Sequence, residues 1–194
     1  MCGILAVFNG EKHFAGNGVD EFMKAGCITG ILRGVDSTGV FQVNEKSTSV
    51  HKLPLDGVNF LSNKRANSIL GASARSKATV LHHRAATKGS ISQENCHPFE
   101  HSDTQRYLVG VHNGGIDAYK TKEDNITFEV DSDWALYQIF KHGKDAFKQF
   151  NGAYALVWYT DEVDNGRKMH IAVNGRREFH FAPVKDKNVI LAAS

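Results

Sequence analysis

The sequence predicts an α+β protein in which largely antiparallel sheets carry helices segregated to their outer faces. Three observations predict it. Short apolar, β-rich runs recur along the chain and stop at Gly- or Asn-containing turns. Helix-like apolar spacing is confined to the stretches 18–32, 56–69 and 131–143, each separated from the next by strands. The strand connections are hairpin-like, with turns at 44–47 and at Asn165-Gly166.

Residues 2–9, "CGILAVFN", read as a buried strand ended by Asn-Gly. Residues 18–32 place Val19, Phe22, Met23 and Cys27 at helical spacing, with Asp20 and Glu21 near the start. "RGVDSTGV" is a Gly-punctuated loop that enters a strand at 39–44, and a second strand follows at 47–53. Residues 56–69 read as helix, with Val58, Phe60, Leu61 and Ile69 as the apolar set. "ATVLHHRAAT" (78–87) begins as a strand and ends in a loop, and the polar "KGSISQENCHPFE" continues that loop. "RYLVGVHNGG" (106–115) is a further buried strand. "DSDWALYQIFKHG" (131–143) reads as a helix capped by Asp131 or Ser132 and stopped by Gly143, and 144–150 adds a helical turn. Residues 152–160 form a central strand, and "RKMHIAVNG", "REFHFAP" and "NVILAAS" complete a β-meander.

The 194 residues suit one domain with a sizeable core. A net charge of +2, with no basic block, argues against a nucleic-acid partner. No apolar run reaches the ~20 residues that span a bilayer, and no signal peptide opens the chain, so no membrane partner is expected. Three widely spaced cysteines, Cys2, Cys27 and Cys96, make neither a disulfide framework nor a zinc site. A reducing, cytoplasmic compartment fits, and no metal is expected. Adjacent His82 and His83 point to opposite faces of one strand, a poor metal arrangement.

Five places combine strand ends with polar groups. Cys2 follows only the initiator methionine, so removal of that residue would leave a thiol and a free α-amine on one residue. An α-amine titrating near 7.7–8.0 can serve a thiol as base, although cysteine also packs as a small hydrophobe. Arg33 and Asp36 can brace a turn as an ion pair. Arg84 can be a structural cation or a two-pronged grip on a carboxylate. Asn113-Gly114 is a common turn dipeptide, but it can equally present a side-chain and a backbone N–H to one developing oxyanion. Asp131 can cap a helix or hold an α-ammonium, and His97 can simply pack its loop.

Cys2-Gly3-Ile4, "RGVDSTG", "HHRAATKG", "NCHPF", "HNGGI", "DSD" and "NGAYALVWY" occur in this order over nearly the whole chain. The set resembles the glutaminase domain of class II glutamine amidotransferases, which are amino-terminal-nucleophile hydrolases. Its spacing is closer to the glucosamine-phosphate synthase and amidophosphoribosyltransferase type than to asparagine synthetase. The resemblance implies a four-layer αββα sandwich over residues 1–194, with the domain continuing past Ser194. It implies Cys2 as nucleophile, Asn113 and Gly114 as oxyanion hole, and Arg84 as α-carboxylate clamp. Thr87 and His97 would line the glutamine pocket, Asp131 would anchor the α-ammonium, and Arg33 would organise the strand carrying Cys2. Glutamine would be the substrate, no cofactor is needed, and ammonia would pass to a synthase domain or partner protein. Two other readings stay open: a hydrolase of another amide or γ-glutamyl compound, and a non-catalytic glutamine-binding module. The chain departs from the family at Ala85, where an aromatic residue is usual, and mildly at Asp133. Retention of Met1 would block the α-amine of Cys2 as an amide.

Overall fold

The structure is a computed structural model that describes residues 2–10, 18–184 and 188–194. Met1, on which the state of the Cys2 amine depends, lies outside the described residues. In chain order the first half contains β1 (Gly3–Asn9), α1 (Gly18–Thr29), β2 (Ser37–Val43), β3 (Thr48–Leu53), α2 (Gly57–Ser62), α3 (Lys64–Leu70), β4 (Ala78–Arg84) and β5 (Phe99–Ser102). The second half contains β6 (Arg106–Ile116), the short β7 (Lys122–Glu123) and β8 (Ile126–Thr127), α4 (Asp131–His142), β9 (Gly152–Glu162), β10 (Gly166–Val173), β11 (His180–Pro183) and β12 (Val189–Ala193). Two sheets dominate, a six-stranded one ordered β11-β12-β1-β4-β2-β3 and a four-stranded one ordered β10-β9-β6-β5. Every pairing in them is antiparallel.

Strand alternation builds the layers. Ile4, Ala6, Phe41, Val80 and Ala192 of the six-stranded sheet meet Val109, Val111, Val157 and Tyr159 of the other. The intervening residues Val7, Val40, Leu81 and Val189 turn outward against Met23, Cys27, Phe60 and Leu70 of α1–α3. On the far side Leu108, Leu156 and Trp158 pack on Leu136 and Ile139 of α4. Three apolar seams between four layers make the αββα sandwich.

Five local expectations are corrected. The helix expected over 56–69 breaks at Asn63, whose extended backbone ends α2 while its side chain accepts from the N–H groups of Arg65 and Ala66 to cap α3. Neither Asp131 nor Ser132 caps α4; the capping position is Val130, with no side-chain cap, because both polar side chains are turned to β6 instead. The expected β-meander divides between sheets: β10 pairs with β9, whereas β11 and β12 add to β1. Hairpin spacing specifies the local pairing but not which sheet a hairpin joins. The strand at β2 begins at Ser37, and β5 runs along the edge of what reads as a polar loop.

Candidate functional site

Placing β1 between β12 and β4 puts its first residues at the end of a central strand. Gly3 pairs with His83, so Cys2 emerges beside the end of β4. There the Ala85 N–H donates to the Cys2 sulfur at 3.4 Å, and the Ala85 carbonyl lies 3.6 Å from it. Burial raises the Cys2 thiol above its ordinary value, and the Ala85 hydrogen bond opposes this only in part. A thiol so placed rests protonated and needs a base to react. Arg33 reaches across the strand and donates to the Cys2 carbonyl at 3.2 Å. Gly3 permits this, since a Cβ there would sit 2.8 Å from that of Arg33. The alternative turn-bracing pair is absent: Asp36 accepts instead from the Ala86 N–H at 2.7 Å.

His82 and Arg84 share the face of β4 that looks into the sandwich, two residues apart. Arg84 is 3 % exposed, too buried for a merely solvated cation. Its guanidinium donates to the carbonyls of Lys88 and Ser90 at 2.5 and 3.1 Å. Across the site, Asp131 sits in the first turn of α4 with its Oδ2 accepting from the Ile116 N–H at 2.7 Å. The same oxygen lies 3.3 Å from the Lys88 ammonium, which also donates to the Ile116 carbonyl at 2.9 Å.

Cys2, Arg84, Thr87, His97, Gly114 and Asp131 line one pocket. Free space between them is about 20 Å³, room for about one water molecule. Asn113 stands next to this group but faces the seam between sheets, where its Nδ2 donates to Ser194 Oγ at 3.0 Å. Ser194 Oγ also accepts from the Ile4 N–H at 3.1 Å, which ties β12, β1 and β6 together beside Cys2. Gly114 is required by close approach: a Cβ there would meet the Ala153 carbonyl at 1.9 Å and His112 Nε2 at 2.7 Å.

His97 and His112 line the pocket, and His82 lies behind them. His82 Nε2 donates to the His112 carbonyl at 3.0 Å, His82 stacks on His97 with centroids 3.8 Å apart, and His112 Nδ1 lies 2.9 Å from Ser132 Oγ. Neither ring nitrogen of His97 has a hydrogen-bond partner among the described residues. Such a buried polar group costs stability and fits a place where a ligand docks. Burial holds all three neutral, with His82 pulled down to about 3 and His97 and His112 also lowered. A histidine with a depressed folded value gives full stability above pH 6.5, where it is neutral in both states. That stability is lost as pH falls from 6.5 toward the folded value, because only the unfolded chain takes up the proton. Thermal unfolding followed by circular dichroism is therefore expected to show a falling midpoint from pH 7 to 5. Each histidine contributes roughly 1.4 kcal/mol per pH unit. An unchanged midpoint over that window contradicts the buried neutral set.

Sequence reasoning missed Lys88, His112, Ser132 and Ser194 as neighbours of the site. Lys88 and His112 fall inside quoted motifs, but nothing in their spacing marks a side chain that reaches across to Asp131 or the pocket. Ser194 has no local signal, since only the β1–β12 pairing brings it to Asn113. Among the described residues no cluster of metal-ligating side chains is present, and no helix is long and apolar enough to cross a membrane.

Residues 36–185 match the protein family described as class-II glutamine amidotransferases. The chain is 31% identical over 179 residues to a glutamine–fructose-6-phosphate aminotransferase (isomerizing) of Lactococcus lactis subsp. lactis, covering 84% of this chain and 27% of that protein. It is 28% identical over 194 aligned residues to the same enzyme of Buchnera aphidicola, covering 90% of this chain and 29% of that protein. The chain thus spans less than a third of the length of the curated relatives it matches. Among solved structures it resembles the glutamine phosphoribosylpyrophosphate amidotransferase of B. subtilis, with a TM-score of 0.68 at 17% identity over 99% of this chain and 41% of that one. It also resembles the allosteric regulatory enzyme of purine biosynthesis, with a TM-score of 0.75 at 19% identity over 100% of this chain and 42% of that one. At such identities the likeness is one of fold, and it agrees with the αββα layering described above.

Proposed function

This chain belongs to the class II glutamine amidotransferases, and on that premise we propose that it splits the side-chain amide of glutamine into glutamate and ammonia, with Cys2 as nucleophile. The observation that carries the reading is the convergence of a strand-end thiol, a buried guanidinium and an inward carboxylate on one pocket, Cys2, Arg84 and Asp131. Arg84 and Asp131 offer opposite charges for the two ends of an α-amino acid. Glutamine is held with its α-carboxylate on Arg84 and its α-ammonium on Asp131, between Thr87 and His97, which turns the γ-carbonyl to Cys2.

The α-amine of Cys2, freed by removal of Met1, takes the thiol proton as the sulfur attacks the carbonyl carbon. Asn113 Nδ2 and the Gly114 N–H receive the negative charge that forms on oxygen. The amine then hands its proton to the departing nitrogen, ammonia leaves, and water opens the γ-glutamyl thioester to release glutamate. Arg33 keeps the β1 terminus in place through the Cys2 carbonyl. The ammonia passes to a synthase domain or partner protein, and the three unpaired cysteines suit a reducing cytoplasm.

Ammonia release from glutamine, asparagine and γ-glutamyl compounds tests this. Glutamine is expected to be the preferred substrate, and a preference for another amide or no release at all contradicts the reading. Asp131→Asn keeps an acceptor for the Ile116 N–H while losing the charge. It is expected to raise KM for glutamine by about 10–100-fold, the worth of one charge-assisted hydrogen bond. Steady-state kinetics would show an unchanged KM if Asp131 holds no ammonium.

A further inference from the structure

Both charged clamps of the pocket are already engaged by one short segment of the chain itself. The Lys88 ammonium lies 3.3 Å from Asp131 Oδ2 and donates to the Ile116 carbonyl at 2.9 Å. The backbone carbonyls of Lys88 and Ser90 accept from Arg84. Lys88 is steadied on its other side by the Tyr119 ring, whose centroid is 5.0 Å from Nζ. Ser90 is held by Glu129, whose carboxylate accepts from the Ser90 hydroxyl at 3.0 Å and from Asn95 Nδ2 at 2.7 Å. The segment therefore presents an ammonium to Asp131 and carbonyl oxygens to Arg84, the same pairing of charges that an amino acid would bring. The free space among the lining groups is about 20 Å³, so glutamine and ligands of similar size enter only as pocket side chains move aside.

We propose that Lys88 is a specificity-determining residue whose side-chain ammonium competes with the α-ammonium of the substrate for Asp131. The inference rests on the glutamine-binding reading of the pocket. The Lys88 ammonium already partly neutralises the Asp131 carboxylate through Oδ2, so an incoming α-ammonium meets a weaker attraction there than it would beside an unpaired carboxylate. That difference is subtracted from the affinity for any ligand bearing an α-ammonium. A carboxamide without one, such as glutaramate, makes no ion pair with Asp131 and so gains less than glutamine does when the Lys88 charge is removed. Lys88 thus weakens the preference for an amino acid over its α-desamino analogue.

The test is binding of glutamine and of glutaramate by calorimetry to the full chain carrying Cys2→Ala, alone and combined with Lys88→Met, Lys88→Gln or Lys88→Arg. Lys88→Met and Lys88→Gln are expected to bind glutamine about two- to fivefold more tightly than the parent, from loss of an ion pair whose lysine end is 35% exposed. Glutaramate affinity should rise less than glutamine affinity or not at all, and Lys88→Arg should match the parent for both ligands. Glutamine binding no tighter in either uncharged variant overturns the proposal. So does an equal gain for glutaramate, which would show that Lys88 merely fills space. The glutaminase reading is judged separately, by ammonia release from the chain with Cys2 present. A chain that releases none while its uncharged Lys88 variants bind glutamine more tightly loses the reaction and keeps the competitor.

Discussion

Replacing Cys2 by alanine is expected to lower ammonia release from glutamine by roughly 10⁴–10⁶-fold, the scale on which removal of a covalent nucleophile is felt. Glutamine should still bind, because Arg84 and Asp131 lie on β4 and α4 and owe their positions to neighbours other than the sulfur. The fold should survive as well: Cys2 lies just outside the paired part of β1, and Ile4, Ala6 and Val7 supply that strand's core contacts. Loss of turnover with retained binding and an unchanged melting curve is the expected combination. Retained turnover means that the carbon–nitrogen bond is broken elsewhere. Cys27 and Cys96 are poor substitutes, since both are buried, and burial pushes the Cys27 thiol up to about 12 and the Cys96 thiol up as well.

The second large effect is expected at the Asn113-Gly114 corner. Asn113→Ala should reduce kcat by about 10²–10³-fold, equivalent to about 2.7–4 kcal/mol, with little change in KM, because the donor acts only as charge develops on oxygen. The carboxamide has two N–H bonds, and Ser194 Oγ engages one of them at 3.0 Å. The same hydroxyl accepts from the Ile4 N–H, which holds it against β1. The proposed role falls to the second N–H, turned toward the pocket as substrate enters. Gly114→Ala should be worse than a lost donor, because the added methyl must displace the Ala153 carbonyl of the paired strand β9, 1.9 Å away. Equal kcat for the parent and Asn113→Ala in steady-state assays removes this corner from the reaction.

Most of the fold was legible because its strands alternate cleanly. Ile4, Ala6 and Val7 in β1, or Val80 and Leu81 in β4, divide between the inter-sheet seam and the helices as a period of two requires. What failed were choices that depend on distant partners. Asn63 breaks a helix because its side chain can cap the next one, and α4 starts from Val130 without a side-chain cap, because the Ile116 N–H takes the Asp131 carboxylate. No local pattern tells β11 and β12 to cross to the sheet of β1. The site divides similarly. The residue types at Cys2, Arg84, Thr87, His97, Gly114 and Asp131 could be read in order, and they do line one pocket. Lys88 on Asp131 and Ser194 on Asn113 are tertiary contacts spanning 43 and 81 residues, beyond the reach of spacing. The departure at Ala85 is local and tolerable at the nucleophile, because it is the backbone of Ala85, not its side chain, that brackets the sulfur.

The most direct measurement is intact mass and peptide mapping of the full chain after treatment with a diazoketone analogue of glutamine. The account predicts one adduct per chain, on Cys2 at a terminus from which methionine has been removed, with excess glutamine slowing its formation. An adduct on Cys27 or Cys96, or a label indifferent to glutamine, would contradict it.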